Sequence, residues 1–173
     1  YNYGLEFTLE KFLDKGLYFL TTVSLFESRY TDGAGIERNT AFNGNYVVNA
    51  LGGKEFALFQ NNPEKSQKHA ITIDSKMTLA GGNRVSPIDI MASASSGRTQ
   101  FVEERAFSER LSDYFRWDIR VAYKLNSKKF TQEWSIDVQN VTNHENPFGR
   151  GFNQDTGEIE TVNQLGIFPV VQY

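Results

Sequence analysis

The stretch YFRWDIRVAYKLNSKKFTQEWSIDVQN, residues 114–140, decides the fold class of this chain. Charged and apolar side chains alternate along 114–124, the alternation stops at a lysine-containing turn over 126–129, and it resumes along 130–139. A period of two residues is typical of a β-strand whose two faces meet different surroundings. The stretch therefore predicts an antiparallel hairpin, with arginine and lysine of one strand opposite glutamate and aspartate of the next on its polar face.

Further alternating segments of strand length lie on both sides of this hairpin. They cover about residues 3–13, 17–30, 41–56 and 69–80, and a last one begins near Leu165. In the second segment Tyr18, Leu20 and Phe26 blur the alternation, so its facing stays open. Together the segments predict an all-β chain, an antiparallel up-and-down meander of about seven strands.

The connections between these segments alternate in length. Short links at 14–16 and 126–129, with a medium one at 57–68, interleave with long ones at 31–40, 81–113 and 144–163. Short turns at one end and long loops at the other are typical of a transmembrane β-barrel of the outer membrane. The alternative is a soluble antiparallel β-barrel or sandwich that acts as a binding module. Long strands and an aromatic content of 14% favour the membrane interpretation.

Composition excludes several classes of function. A net charge of -3 without a lysine and arginine stripe argues against a nucleic-acid partner. The absence of cysteine excludes a disulfide framework and cysteine-based zinc sites, and the two histidines, His69 and His144, are too far apart to predict a metal site. No apolar run approaches the roughly 18 residues of a membrane helix, so strands would have to make any membrane span.

Catalytic motifs are also missing from the sequence. An outer-membrane protease or phospholipase would need a nucleophile, a histidine and an acid together, and His144 near Glu145 and Asp155 has no convincing serine partner. Gly52-Gly53-Lys54 lacks the following Ser or Thr and the upstream glycine of a phosphate-binding loop. We therefore predict that the chain is not an enzyme, with no catalytic residue and no cofactor.

Several segments resemble one family of membrane proteins. WSIDVQNVTNHENPF (134–148) is similar to the penultimate strand of TonB-dependent outer-membrane receptors, in which an Asp-x-x-Asn-x-x-Asn signature precedes an external loop. DYFRWDIRVAYKLN resembles the strand before it, and QLGIFPVVQY resembles the start of the closing strand. RNTAFNGNYVVNALGGKEF and TLAGGNRVSPIDI resemble stretches of the Bacteroidetes branch, which also bears an N-terminal carboxypeptidase-like regulatory domain.

The resemblance implies a fold, a location and a set of partners. Residues 1–173 would be the C-terminal portion of a barrel of about 22 strands, without its plug and N-terminal strands, in the outer membrane of a Gram-negative bacterium. Such a receptor binds a scarce nutrient at its external loops and imports it with energy from the TonB complex, which acts through the missing N-terminal part. The implied partners are the plug, outer-membrane lipid, a small-molecule, glycan or peptide cargo and, in some receptors, a surface lipoprotein.

Under the barrel interpretation, two groups of residues become candidate sites. A polar row would face the lumen and the plug, since a lipid-facing arginine or lysine costs about 2–4 kcal/mol at the bilayer midplane. The polar row comprises Asn43, Asn45, Asn49, Asp74, Lys76, Arg116, Asp118, Arg120, Lys124, Glu133, Asp137 and Gln139. The ligand candidates in the long loops are Arg84, Arg98, Phe101, Phe107, Arg150, Phe152 and Asn153.

Overall fold

A computed structural model describes residues 1–59 and 67–173 of the chain. These residues are built around one large antiparallel sheet. In chain order the strands are β1 (Asn2–Asp14), β2 (Leu17–Thr31), β3 (Glu37–Asn39), β4 (Tyr46–Leu58), β5 (Lys68–Ala80), β6 (Arg84–Val85), β7 (Glu109–Arg110), β8 (Tyr114–Asn126), β9 (Thr131–Gln139), β10 (Pro147–Phe152), β11 (Ile159–Asn163) and β12 (Phe168–Gln172). A short helix, α1 (Ile90–Ser96), and a 3-10 turn over Glu103–Arg105 lie between β6 and β7.

The large sheet is a meander with the order β1-β2-β4-β5-β8-β9-β12, and β3 pairs with the last residues of β2. Every neighbouring pair is antiparallel. The all-β class and the antiparallel meander are therefore confirmed. The sheet is open, with β1 and β12 as its edges, and it is not closed into a barrel.

Short and long connections leave opposite ends of the sheet. The tight β1–β2 and β8–β9 turns lie at one end, which we call the turn end, and the segments 32–45, 81–113 and 140–167 leave the other, which we call the loop end. Two small sheets, β6-β7 and β10-β11, provide hydrogen bonds within the long segments. The medium link predicted at 57–68 is shortened by β4 and β5, and its residues 60–66 lie outside the described residues.

The third strand begins later than the sequence suggested. The alternation predicted a strand from about residue 41, whereas β4 starts at Tyr46. Asn45 has a backbone φ of 72°, in the left-handed region that asparagine tolerates better than most residues. Asn43 accordingly lies in the turn before β4, and its side chain bonds Ser28 of β2 and Asn39 of β3 rather than lying on one face of a strand.

The register settles the facing of β2. Val23 lies opposite Phe7 on β1 and Val48 on β4, so Phe19, Val23 and Leu25 belong to the apolar face. Directly opposed residues of antiparallel strands share one face of a sheet. The polar face receives the three residues that blurred the alternation, which are Tyr18, Leu20 and Phe26.

The apolar face is not covered by a second layer of the described residues. Among these residues only Ala70, Leu111 and Ala122 are buried apolar side chains. Ile136 is 56% exposed and Trp117 is 39% exposed, although both belong to the apolar face. The sheet therefore has two unlike surfaces and very little hydrophobic core between layers.

Candidate functional site

The polar face is organised around one arginine. The guanidinium of Arg120 on β8 contacts Asp74 of β5 at 3.3 Å, Asp137 of β9 at 3.3 Å and the carboxylate of Glu133. The cross-strand pairing that the hairpin predicted is thus present. Because one planar guanidinium offers donors in several directions, Arg120 joins β8 to β5 through one carboxylate and to β9 through two.

A tyrosine from β2 extends this network across a glycine. The Tyr18 hydroxyl donates a hydrogen bond of 2.7 Å to Asp74 Oδ1, although β4 lies between the two strands. The tyrosine passes over Gly53, where a Cβ atom would lie 2.0 Å from Asp74 Oδ1 and 2.7 Å from the Tyr18 hydroxyl. Gly53 therefore provides space for a side-chain bridge, which is a common reason for glycine within a strand.

Replacing Gly53 by alanine is expected to lower the free energy of unfolding by about 1–3 kcal/mol, because the methyl group overpacks this crossing. Gly149→Ala provides the control, since nothing lies within 4 Å of a Cβ atom there. Urea unfolding measures both variants. Equal midpoints for the two would contradict the crowded crossing at Gly53.

Six members of the polar row line a shallow pocket of about 270 Å³ on the same face: Asp74, Lys76, Asp118, Arg120, Asp137 and Gln139. Asn49 bonds instead with the threonines beside it, accepting from Thr78 Oγ1 at 3.0 Å and donating to Thr22 Oγ1 at 3.4 Å. Lys124 lies opposite Glu133 on the same face. Most of the polar row is therefore one connected surface, whereas Asn43 and Asn45 lie apart from it.

Asn43 and Asn45 belong to a tight cluster at the loop end. Asn43 is fully buried, and its side chain bonds the amide of Ser28 at 3.0 Å and Asn39 Oδ1 at 2.8 Å. The loop candidate Arg84 bonds the Asn43 carbonyl at 3.1 Å and Asn45 Oδ1 at 3.3 Å. These contacts give the three residues a role in fixing loops 32–45 and 81–113 to each other.

Asp113, which the sequence did not single out, fastens the same cluster to the sheet. Its carboxylate accepts from the Tyr46 hydroxyl, from the Gly82 amide at 3.1 Å and from Arg110 at 2.9 Å. The hydrogen bond from Tyr46, helped by the Gly82 amide and the charge of Arg110, lowers the pKa of Asp113 below its ordinary value. A carboxylate with a depressed pKa stabilises the fold most when it is ionised.

The lowered pKa of Asp113 predicts how the stability of the fold changes in acid. The stabilisation from ionised Asp113 is fully present above the ordinary aspartate pKa of about 3.9 and is lost as pH falls through the lower pKa of the folded protein. The stability difference between wild type and Asp113→Asn is therefore expected to be constant near neutral pH and to shrink in acid. Urea midpoints measured across pH test this, and a difference that grows in acid would contradict it.

The Asp-x-x-Asn-x-x-Asn signature builds the turn after β9. Asn140 and Asn143 both have φ of 51°, and Asn143 donates its amide hydrogen to the Asn140 carbonyl at 2.8 Å. The Asn140 side chain is buried and bonds both the amide and the carbonyl of His144. Asn143 Oδ1 accepts from the Ile167 amide at 2.9 Å, ahead of β12. The signature thus ends one strand and positions the next.

Replacing Asn140 by alanine removes both side-chain bonds to His144 and places a less tolerant residue at positive φ. We expect a loss of about 2 kcal/mol in the free energy of unfolding. Asn140→Gly separates the two causes, because glycine tolerates the backbone conformation and lacks only the side chain. An Asn140→Gly variant as stable as wild type would show that the side-chain bonds contribute nothing.

The remaining loop candidates divide into bonded and exposed residues. Arg150 pairs with Glu109 at 3.0 Å, the Phe107 ring contacts Tyr30, and the Phe152 amide bonds Thr99 Oγ1 at 3.0 Å. Asn153 forms the turn between β10 and β11, accepting from the Asp155 amide at 2.8 Å. Arg98 is exposed, as is Phe101 at 51%. These last two are the ligand candidates whose side chains are most accessible.

An aromatic ladder crosses the apolar face near the turn end, and the sequence analysis missed it. Its rings follow one another with centroid separations of 5.5–6.0 Å through Phe59, His69, Tyr123, Trp134 and Tyr173. The register explains the alignment, since Tyr123 lies opposite Trp134 on β9. Sequence alternation placed Tyr123 and Trp134 on the apolar face, but only the register joins them to rings of other strands.

Comparisons with protein-family models, with curated proteins and with solved structures each find no match. Within the part of the chain that the structure describes, no group of three metal-ligating side chains converges. No helix among those residues is long and apolar enough to cross a membrane.

Proposed function

We propose that this chain forms part of the wall of a TonB-dependent type of receptor in the outer membrane of a Gram-negative bacterium. Its loops bind a scarce nutrient, which the complete receptor imports with energy transmitted by TonB. The chain contributes binding and a transport path rather than catalysis. The observation that carries this proposal is the apolar face, which stays exposed across the sheet and ends at a ladder of aromatic rings.

The dimensions of the sheet support a membrane span. β1, β4, β5 and β8 each contain 13 residues. A tilted strand needs about 9–11 residues to cross the hydrocarbon. Aromatic residues mark the interfaces of such barrels, and the ladder occupies that place on the lipid side. In water the same face would leave large apolar side chains such as Leu5, Phe7 and Ile136 exposed, and a contiguous exposed apolar patch marks an interaction surface.

The polar face suits a hydrated lumen that contacts a plug. Its charged members are balanced, with Lys76, Arg116, Arg120 and Lys124 against Asp74, Asp118, Glu133 and Asp137. Hydrogen bonds at a wet surface contribute about 0.5–1.5 kcal/mol each, because water competes for the same groups. Contacts of that strength hold a plug at rest and release it under a pulling force.

The two open edges require further strands. In hydrocarbon each unpaired backbone group costs several kcal/mol, and β1 alone presents an edge of 13 residues. Strands of the same receptor, paired with β1 and β12, would close the wall. The resemblance noted from the sequence suggests about 22 strands in such a barrel, with a plug inside.

Cell fractionation tests the proposal directly. The intact protein, expressed in a Gram-negative host, is expected in the outer-membrane fraction, to resist extraction by high salt, and to be released by detergent. On a gel the unheated sample should migrate differently from the heated one, as folded barrels do. Recovery in the aqueous fraction without detergent would reject the membrane location and favour the soluble binding module.

A further inference from the structure

We propose that the turn end of the sheet carries a binding site for the anionic phosphate headgroups of membrane lipids. The site is a lysine rim that comprises Lys15, Lys54, Lys68, Lys128 and Lys129, all of which are exposed. This inference rests on the proposed membrane location, which places the turn end at the level of the headgroups.

All five rim lysines lie at the turn end, where no arginine lies, which is the first support for the site. Arginines lie at the loop end or on the polar face, and most bond carboxylates, such as Arg38 with Asp32 at 2.6 Å and Arg29 with Glu37 at 2.7 Å. By contrast, within residues 1–59 and 67–173 no lysine of the rim forms an ion pair. The charges of the rim therefore remain available to a partner outside the described chain.

The rim adjoins the aromatic ladder on the apolar face. Lys54 belongs to the apolar face, and its Nζ lies 5.5 Å from the centroid of the Phe56 ring, whereas Lys68 lies level with the ladder residue His69 but on the polar face. Lys54 also lies opposite Leu17, level with the turn that contains Lys15. A lysine stem that lies along apolar surface while its ammonium reaches water is the arrangement expected at a membrane interface.

Charge complementarity favours an anion at this end of the sheet. Near the rim, the Asp14 carboxylate lies 4.0 Å from Lys11 and the Glu55 side chain belongs to the polar face. The loop end is acidic by comparison, with carboxylates that outnumber its arginines: Asp32, Glu37, Asp89, Glu103, Glu104, Glu109, Asp113, Glu145, Asp155, Glu158 and Glu160. An anionic ligand would thus prefer the turn end.

The layout of the rim selects a lipid over free phosphate. Its lysines come from the β1–β2 turn, from β4 and β5, and from the β8–β9 turn, so they are spread along the sheet and do not surround one cavity. A lipid can place its acyl chains on the apolar face beside the ladder while its phosphate contacts a lysine. Free phosphate gains nothing from that apolar face.

The experiment compares wild type with a variant in which all five rim lysines are glutamine. The intact protein is purified in a neutral detergent, and binding of headgroup-labelled phosphatidylglycerol is measured, with labelled phosphatidylcholine as the neutral lipid. Each lysine near an anionic surface is expected to contribute about fivefold, and because each bound phosphate contacts one lysine, the variant should bind phosphatidylglycerol about fivefold more weakly. A variant with five arginines at the same positions should bind like wild type.

The outcomes separate this inference from the proposed function. A protein that fractionates with the outer membrane but binds both lipids alike, or whose glutamine variant binds as wild type does, retains the membrane location and loses the lipid site. Displacement of phosphatidylglycerol by an equal concentration of inorganic phosphate would also overturn the lipid site, because it would identify a site for phosphate alone. A protein in the aqueous fraction rejects both proposals.

Discussion

Replacing Phe7 by lysine is expected, under the proposed membrane location, to destabilise the protein by about 2–4 kcal/mol, the cost of a lipid-facing lysine near the bilayer midplane. Phe7 lies in the middle of β1, on the apolar face opposite Val23, and 62% of it is exposed. If this face of the sheet stood in water, the same substitution would not destabilise the protein, because Phe7 is already exposed. There the lysine would be neutral or would improve solubility.

The next residue along the chain provides the matched control. Thr8 lies at the same depth but faces the polar side, opposite Thr22 and flanked by Glu6 and Glu10 on that face. Thr8→Lys should therefore change the free energy of unfolding by no more than about 0.5 kcal/mol. Urea midpoints in vesicles and the amount of protein in the outer-membrane fraction measure both variants. Equal behaviour of the two lysines would contradict a lipid-facing apolar side.

The alternation of side chains predicted most of the fold because it is a local signal. In β8 each charged residue and each apolar residue lies on the face that its parity assigns, since a pleated strand allows no other arrangement. The same signal failed before β4, where Asn43 and Asn45 alternate with other residues inside a turn. Parity alone does not separate a turn whose polar side chains bond neighbouring strands from the beginning of a strand.

The candidate site was less predictable because its contacts join distant residues. Tyr18 and Asp74 are 56 positions apart, and their hydrogen bond depends on the register of two strand pairs and on the space above Gly53. The Gly52-Gly53 pair was a usable signal, since glycine within a strand often marks a close approach. By contrast, nothing local to Asp113 or Arg84 indicates that loops 32–45 and 81–113 meet there.

Replacing Arg120 by methionine is expected to cost about 2–3 kcal/mol in the free energy of unfolding. Methionine keeps much of the side-chain volume but leaves Asp74, Asp137 and Glu133 without their shared cation, and hydrogen bonds to charged groups contribute about 1.5–3 kcal/mol. Asp74 and Asp137 side chains are only 19% and 18% exposed, so their repulsion is poorly screened. Glu133 is 38% exposed and contributes less.

Two comparisons show whether loss of the shared cation causes the lower stability of Arg120→Met. Arg116→Met removes a cation that bonds one carboxylate, Asp118, and should cost less than Arg120→Met. Adding Asp74→Asn, Asp137→Asn and Glu133→Gln to the Arg120 variant removes the uncompensated charges, and should restore most of the lost stability, since a neutral network no longer needs the cation. Added salt should also reduce the deficit of the single variant. If neutralising the carboxylates fails to restore stability, the deficit arises from lost packing around the guanidinium. Arg120 would then not be the residue that stabilises the contacts among β5, β8 and β9 on the polar face.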